Sequence, residues 1–272
     1  MPTIKALNIY PVKSCRGIGL QAGLVTPTGF QFDRNWMIVD EHYRFITQRE
    51  EPRLALIETA LDAHKLTLHA PGMNNELNVA LDARGPHVKA TCWRDVCAAF
   101  DMGEDAAAWL TQFLGSRRRL VRFDPAHKRL SSPEWTGEVE ASSQFPDAFA
   151  WLVISQSSLD DLNSRLSNAL PMNRFRPNIV LEGTEPYAED RIHEVATGKV
   201  RLRLVKPCTR CAITTTDQAT AERLSDEPLR TLKSYRFSRE LKGVLFGQNA
   251  ILLQGEGETV RVGERLDVVW KA

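Results

Sequence analysis

The chain has 272 residues, of which 43% are hydrophobic and 25% charged, and its net charge of +1 hides no polybasic or acidic tract. That balance fits a globular protein with one large core or two moderate ones, and it excludes binding to nucleic acid or to anionic membrane surfaces through bulk charge. No apolar run approaches the length of a membrane span, and five cysteines without a framework spacing fit a reducing compartment, expected here to be the cytoplasm.

Residues 3–12 open the chain as a strand, with Ile4, Leu7 and Ile9 as its apolar positions and Pro11 limiting its pairing. The loop Val12-Lys13-Ser14-Cys15-Arg16-Gly17 gathers two cations, a hydroxyl and a glycine, which suit a phosphate as well as a solvated turn. Residues 35–40 and 44–48 read as a hairpin with Asp33 and Arg34 at its foot. Short alternating runs at 54–59, 65–69, 77–81 and 88–93 are divided by Ala70-Pro71-Gly72 and Arg84-Gly85-Pro86, which predicts a small sheet or barrel. A helix follows over 104–114, with Ala107, Leu110, Phe113 and Leu114 on one face and Gly115 as its stop. The arginine cluster at 117–119 is either an anion site or solvated surface; a strand at 120–123 and a polar loop at 131–147 come next.

Residues 151–154 read as a buried strand and 155–170 as a helix, followed by Arg174-Phe175-Arg176-Pro177-Asn178 and a strand at 179–181. Two guanidiniums at that spacing serve either a phosphorylated group or surface ion pairs. Val200, Leu202 and Leu204 alternate with Arg201 and Arg203 in a strand expected to end at Pro207, and residues 212–216 read as a second short strand. Between them, Cys208-Thr209-Arg210-Cys211 places thiols beside a guanidinium. Such a loop presents a thiolate to a soft ligand, and it equally describes structural cysteines or half of a zinc site. A short helix at 228–235 and strands at 250–253, 258–262 and 265–270 close the chain. The whole predicts a β-dominated α+β fold with three helices. Dinucleotide, phosphate-loop, nucleophile-elbow and HExxH signatures are absent, and the six histidines are scattered singly.

Six motifs in order, YPVKSCRG, FDRNW, FRPNIV, PCTRCAITTTD, PLRTLKSYR and LFGQN, span nearly the whole chain. Together they resemble MOSC-domain proteins with an N-terminal β-barrel region, the family of the amidoxime-reducing components. The resemblance implies a MOSC barrel from residues 1–34 and 122–272 and a second, smaller β-rich unit from 35–121. It implies a molybdenum cofactor, a metal on the dithiolene of a phosphorylated pterin, with Cys211 as protein ligand, and a soft thiolate suits that metal. Lys13, Ser14, Arg34, Arg176, Asn178, Thr209 and Arg210 match the family's cofactor-holding positions, and Asn249 stands where some relatives carry tyrosine. Asp147 matches a carboxylate beside the metal, or else caps the turn Phe145-Pro146-Asp147. Ala148 and Phe149 depart from relatives that carry small hydroxyl residues there.

The activity implied is reduction of N-hydroxylated compounds, N–OH to N–H. Without a dinucleotide fingerprint or a cluster-binding cysteine series, the electrons are expected from a separate protein. Nucleic acid and membrane are not expected as partners. The alternative is a cofactor or sulfur carrier with a persulfide on Cys211.

Overall fold

The structure, a computed structural model, describes residues 1–271. Its largest element is a nine-stranded sheet in which Asp267–Trp270, Ile192–Thr197, Val200–Thr209, Gly243–Gln254, Trp151–Ser155, Ile179–Glu182, Thr3–Ile9 and Ile18–Leu20 follow one another as neighbours, and Phe237–Ser238 pairs beside Gly243–Gln254. Alternation explains Val200–Thr209: Val200, Leu202 and Leu204 are buried, while Arg203 and Arg201 turn outward to Glu194 at 3.0 and 3.2 Å. Trp151–Ser155 is buried at every position and pairs in parallel with Ile179–Glu182, as strands covered on both faces do. The sheet curls because the residues before its end strand return to the first one: Ile4 N–H donates to Glu264 O and Leu266 N–H to Pro2 O, each at 2.9 Å. Ile4, Leu7, Phe30, Trp151, Leu202 and Leu204 fill the interior. Each side chain of that size contributes about 1.5–3 kcal/mol on burial.

A second group of strands lies between residues 36 and 123. Trp36–Val39, Arg119–Phe123, Asp95–Asp101 and His87–Cys92 form one antiparallel sheet, and Glu58–Leu61, Lys65–His69 and Leu77–Ala80 form another. Helix Glu104–Leu114 buries Trp109, Leu110 and Phe113 against Leu66, Leu68 and Leu77, and Gly115 ends it in the left-handed conformation. Lys13 N–H donates to Trp36 O at 2.8 Å and Trp36 N–H to Pro11 O at 3.0 Å, so the loop after the first strand joins the two groups.

Several local expectations differ from the structure. Four α-helices occur among the described residues rather than three, the extra one being Pro133–Thr136 inside the polar loop. The helix expected over 155–170 stops at Ser164. Residues 52–56 form a 3₁₀ turn, not a strand, because Pro52 starts it and the Glu51 side chain accepts from Arg53 N–H. The 88–93 run finds its partner in Asp95–Asp101, a strand the sequence did not declare. Pro207 does not end its strand, which continues to Thr209; the pairing shifts between Pro207 and Thr209, so the missing N–H falls at an irregularity. Residues 212–216 do not form a strand either. Thr214 and Thr215 hydroxyls donate back to Cys211 O and Ala212 O at 2.9 and 2.8 Å and hold the 3₁₀ turn Ala212–Thr215.

Candidate functional site

Val200–Thr209, Gly243–Gln254, Trp151–Ser155, Ile179–Glu182 and Thr3–Ile9 are consecutive neighbours, so loops distant in sequence open on one cavity of about 490 Å³. That volume is of the size that takes a small molecule or cofactor. All ten residues singled out in the sequence line it: Lys13, Ser14, Arg34, Asp147, Arg176, Asn178, Thr209, Arg210, Cys211 and Asn249. A smaller cleft of about 170 Å³ between Glu140 and Glu256 gathers no cation and no thiol. Inside Gly243–Gln254, Gly247 has φ +82°, and a Cβ there would meet Ile154 Cγ1 at 2.6 Å, so only glycine lets the strand turn Asn249 onto the cavity.

One wall is cationic. The Arg34 and Arg176 guanidinium carbons lie 4.5 and 4.1 Å from the Tyr10 ring centroid, one on each neighbouring loop. Burial, partly offset by these cations, pushes the Tyr10 hydroxyl up to about 12; burial also lowers Arg176 to about 10, which leaves it charged at neutral pH. Arg34 donates to Asp33 and to Asn178 Oδ1 at 2.5 and 3.1 Å. Asn178 also accepts from Leu152 N–H and donates to Asn8 O, both at 3.2 Å, so its amide ties strands together and orients Arg34. Arg176 Nη1 donates to Cys15 O at 2.7 Å. Its Nη2, together with Arg210 Nε and Arg49 Nη2, is buried without a partner. An unmatched buried donor costs about 1–3 kcal/mol, and these three, unlike the other unmatched donors, belong to residues lining the cavity, where acceptor oxygens of an anion would satisfy them.

The two thiols of the loop differ. Arg210, expected beside Cys211, instead places Nη1 3.0 Å from Cys208 Sγ and Nη2 2.6 Å from Phe175 O. The cation at Cys211 Sγ is Arg49, with Nη1 at 3.5 Å, a residue the sequence did not mark. Thr209 is exposed beside them, and Asn249 Nδ2 donates to Lys206 O at 3.3 Å. Among the described residues no group of three or more His, Cys, Asp or Glu could hold a metal. The cavity lining holds two half-buried thiols, Cys208 engaged by Arg210 and Cys211 faced by Arg49, and no third ligand of these types beside them among the described residues.

Asp147 faces the thiol side. Lys13, whose side chain is only 6% exposed, donates to Asp147 Oδ1 at 2.5 Å and to Phe145 O at 2.7 Å, and Trp93 Nε1 donates to the same carboxylate oxygen at 3.1 Å. Burial works to raise the Asp147 carboxyl, but the Lys13 charge and hydrogen bond, with Trp93 and Arg49, outweigh it and hold the group well below the usual carboxylate range. Arg129 fixes the loop from behind by donating to Gln144 O, Pro146 O and Asp147 O at 2.9, 2.7 and 3.2 Å.

Among the described residues nine that are not glycine have positive φ, and five of them, Ser14, Arg34, Trp93, Arg176 and Lys242, line this cavity. Each such backbone costs about 1–3 kcal/mol and persists where surrounding contacts enforce it. Other cations are engaged elsewhere. Arg174 pairs with Asp217 at 2.9 Å, and Arg119 of the arginine cluster is bound to Asp101 and Glu104 at 2.5 and 2.8 Å.

Residues 1–117 match the model of the MOSC N-terminal beta barrel domain, and residues 140–267 match the MOSC domain. The chain is 38% identical over 275 residues to mitochondrial amidoxime-reducing component 1 of Mus musculus, covering 96% of this chain and 81% of that protein. The Homo sapiens protein of the same name gives 38% over 280 residues with the same coverage, and mitochondrial amidoxime reducing component 2 of Bos taurus gives 35% over 243 residues, 86% of this chain and 72% of that protein. The chain belongs to the MOSC-domain family of the amidoxime-reducing components. For this MOSC protein the expected cytoplasmic location is overturned, since these relatives are named mitochondrial. Its five cysteines are all unpaired. Among the described residues no helix is long and apolar enough to cross a membrane.

Proposed function

We propose that this chain is a molybdenum-cofactor-dependent oxidoreductase that reduces N-hydroxylated compounds, N–OH to N–H, with electrons delivered by a separate protein. Residues 1–34 and 122–272 form the unit that holds the cofactor, and residues 35–121 form the second unit. Sheet pairing supports this division, because Thr3–Ile9 pairs with Ile179–Glu182 although the N-terminal family model spans both units. The observation that carries the function is the donor set: of two half-buried thiols facing the cavity, Cys208 is taken up by Arg210 and Cys211 is left to a ligand, beside buried, unmatched guanidinium N–H groups. A soft metal on a phosphorylated organic cofactor needs that combination.

Cys211 supplies the sulfur ligand, with the Arg49 guanidinium 3.5 Å from its Sγ. Arg34, Arg176 and Arg210 take up the negative charge of the phosphorylated pterin, with Lys13 and Ser14 at the edge of the same wall. When bound, the cofactor supplies the two-electron chemistry that removes the oxygen of an N–OH group. Asp147 is an acceptor at neutral pH and not an acid, because Lys13 and Trp93 hold it ionised. It therefore orients a substrate N–H. The Lys13 ammonium, hydrogen-bonded to that carboxylate, is the nearest proton-bearing group.

The test is metal content of the purified protein and turnover of benzamidoxime with a reduced dye or with NADH alone. Near-stoichiometric molybdenum and turnover with the dye only are expected. Zinc in place of molybdenum would overturn the reading. Efficient turnover with NADH alone would overturn the separate donor protein, and a fully loaded protein that fails to turn over with any donor would favour the carrier with a persulfide on Cys211.

A further inference from the structure

Of the residues lining the cavity, Arg49 and Trp93 alone come from residues 35–121. Trp93 occupies the turn between His87–Cys92 and Asp95–Asp101, a hairpin whose Cys92, Cys97, Ala90 and Ala99 are fully buried. Its φ of 60° is a conformation that a bulky residue adopts only when its surroundings enforce it. The surroundings are visible: Phe45 packs with ring centroids 5.2 Å apart, the Arg49 guanidinium carbon lies 4.5 Å from the ring, and the indole N–H is fixed on Asp147. Yet 46% of the residue remains exposed. An indole held from three sides and left open at the cavity is a stacking surface, with an ionised acceptor at its rim.

We infer that Trp93, steadied by Arg49, is the substrate-selecting wall of the cavity: it favours an N-hydroxylated group conjugated with C=N, which stacks on the indole and donates an N–H to Asp147, over a saturated hydroxylamine. The inference rests on the proposed reduction of N-hydroxylated compounds. A conjugated amidoxime offers both a flat π-system and an amino donor, whereas a saturated dialkylhydroxylamine offers neither. Arg49 also faces Cys211 Sγ; toward the substrate it acts through Trp93 and is a positioning residue.

The test compares kcat/KM for benzamidoxime and N-hydroxypiperidine, with a reduced dye as donor, in the wild type, Trp93→Leu and Trp93→Phe. In parallel, benzamidine, a flat unreactive amidine, is titrated against intrinsic tryptophan fluorescence, with Trp270→Leu as control because Trp270 is exposed and lies outside the cavity. Trp93→Leu should lower the benzamidoxime preference about tenfold, mainly through KM, at unchanged molybdenum content, while Trp93→Phe keeps most of it. Benzamidine quenching should vanish in Trp93→Leu and persist in Trp270→Leu. An unchanged preference in Trp93→Leu, or unchanged quenching, would overturn the inference. If the loaded wild type reduces neither substrate, the proposed reaction falls, and the benzamidine titration still decides whether Trp93 is a wall for flat amidines.

Discussion

The two walls of the cavity are built in different ways. Lys13, Arg176, Arg210 and Cys211 sit on loops between neighbouring strands of one sheet, and Arg34 joins them from the turn before Trp36–Val39, braced by Tyr10 and Asn178. Arg49 and Trp93 arrive from a separate group of strands and touch that sheet's loops through Cys211 and Asp147. The first wall is a fixed array of cations, which suits a ligand that is the same at every turnover. The second is an aromatic tip on a hairpin, which can change in shape without disturbing the sheet. On the proposed reading, holding the cofactor and choosing the substrate fall largely to different walls, with Arg49 at the join because it faces both Cys211 Sγ and the Trp93 ring.

The largest effect that would break this division is at the thiols. Cys211→Ser should lose essentially all molybdenum with the fold intact, because a hydroxyl is a poor soft-metal ligand and Cys211 Sγ is the sulfur faced by Arg49. Cys208→Ser should keep most of its metal, since the Cys208 sulfur is engaged by Arg210 on the sheet side. Metal analysis of both variants checks this. Equal loss in the two would mean a two-thiol site and a cavity that is not divided as described.

The arginines sharpen the comparison. Both arginines carry a buried unmatched N–H, but only Arg176 lines the cavity, so Arg176→Ala should lower cofactor content about tenfold. Arg174→Ala breaks contacts to Thr215 O and Asp217, both at 2.9 Å, and should instead cost about 1–2 kcal/mol of stability with cofactor content retained. Cofactor per folded protein and urea unfolding separate the two. A larger cofactor loss in Arg174→Ala would move the cation wall one turn along the chain.

The residues of the first wall were singled out through the resemblance to MOSC proteins; taken alone, their short runs, Lys13 with Ser14, Arg176 with Asn178 and Arg210 with Cys211, read equally as solvated turns, ion pairs or structural thiols. The second wall was not. Arg49 follows a run that only bridges to its partner, Val39 with Phe45, and Trp93 marks a turn whose second strand carries no clear alternation. Nothing local says that this turn reaches Asp147, 54 residues away. The β-dominated class was legible from alternation, whereas the 3₁₀ turn after Cys211 was hidden by threonines, which read as strand formers until their hydroxyls are seen bonded back to the chain. Arg210 was the nearest cation to Cys211 in sequence, but its guanidinium turns to Cys208 and Phe175 in space.

The smallest effect tests whether the ground beneath the two walls is equally dry. Cys15 lies under the cation wall with its carbonyl on Arg176, and Cys97 lies in the sheet that carries Trp93. Burial, eased slightly by Arg176 in the first case and Arg129 in the second, pushes the two thiols up to about 12 and about 11. From pH 9 to 10 the unfolded chain releases both protons while the folded chain keeps them, so stability is full below pH 9 and falls as pH rises. The limiting slope is about 2.7 kcal/mol per pH unit for two protons and about 1.4 for one. Cys15→Ala should therefore remove one thiol's share of the loss of urea-unfolding free energy between pH 9 and 10, and Cys97→Ala should remove the same share. Burial also raises the hydroxyls of Tyr10, Tyr43, Tyr187 and Tyr235, which add to the loss as pH nears 10 in every variant alike, while the lowered Arg176 opposes it at higher pH. If Cys15→Ala leaves the slope unchanged while Cys97→Ala lowers it, water reaches the thiol beneath the cations, and the cation wall is the wetter of the two.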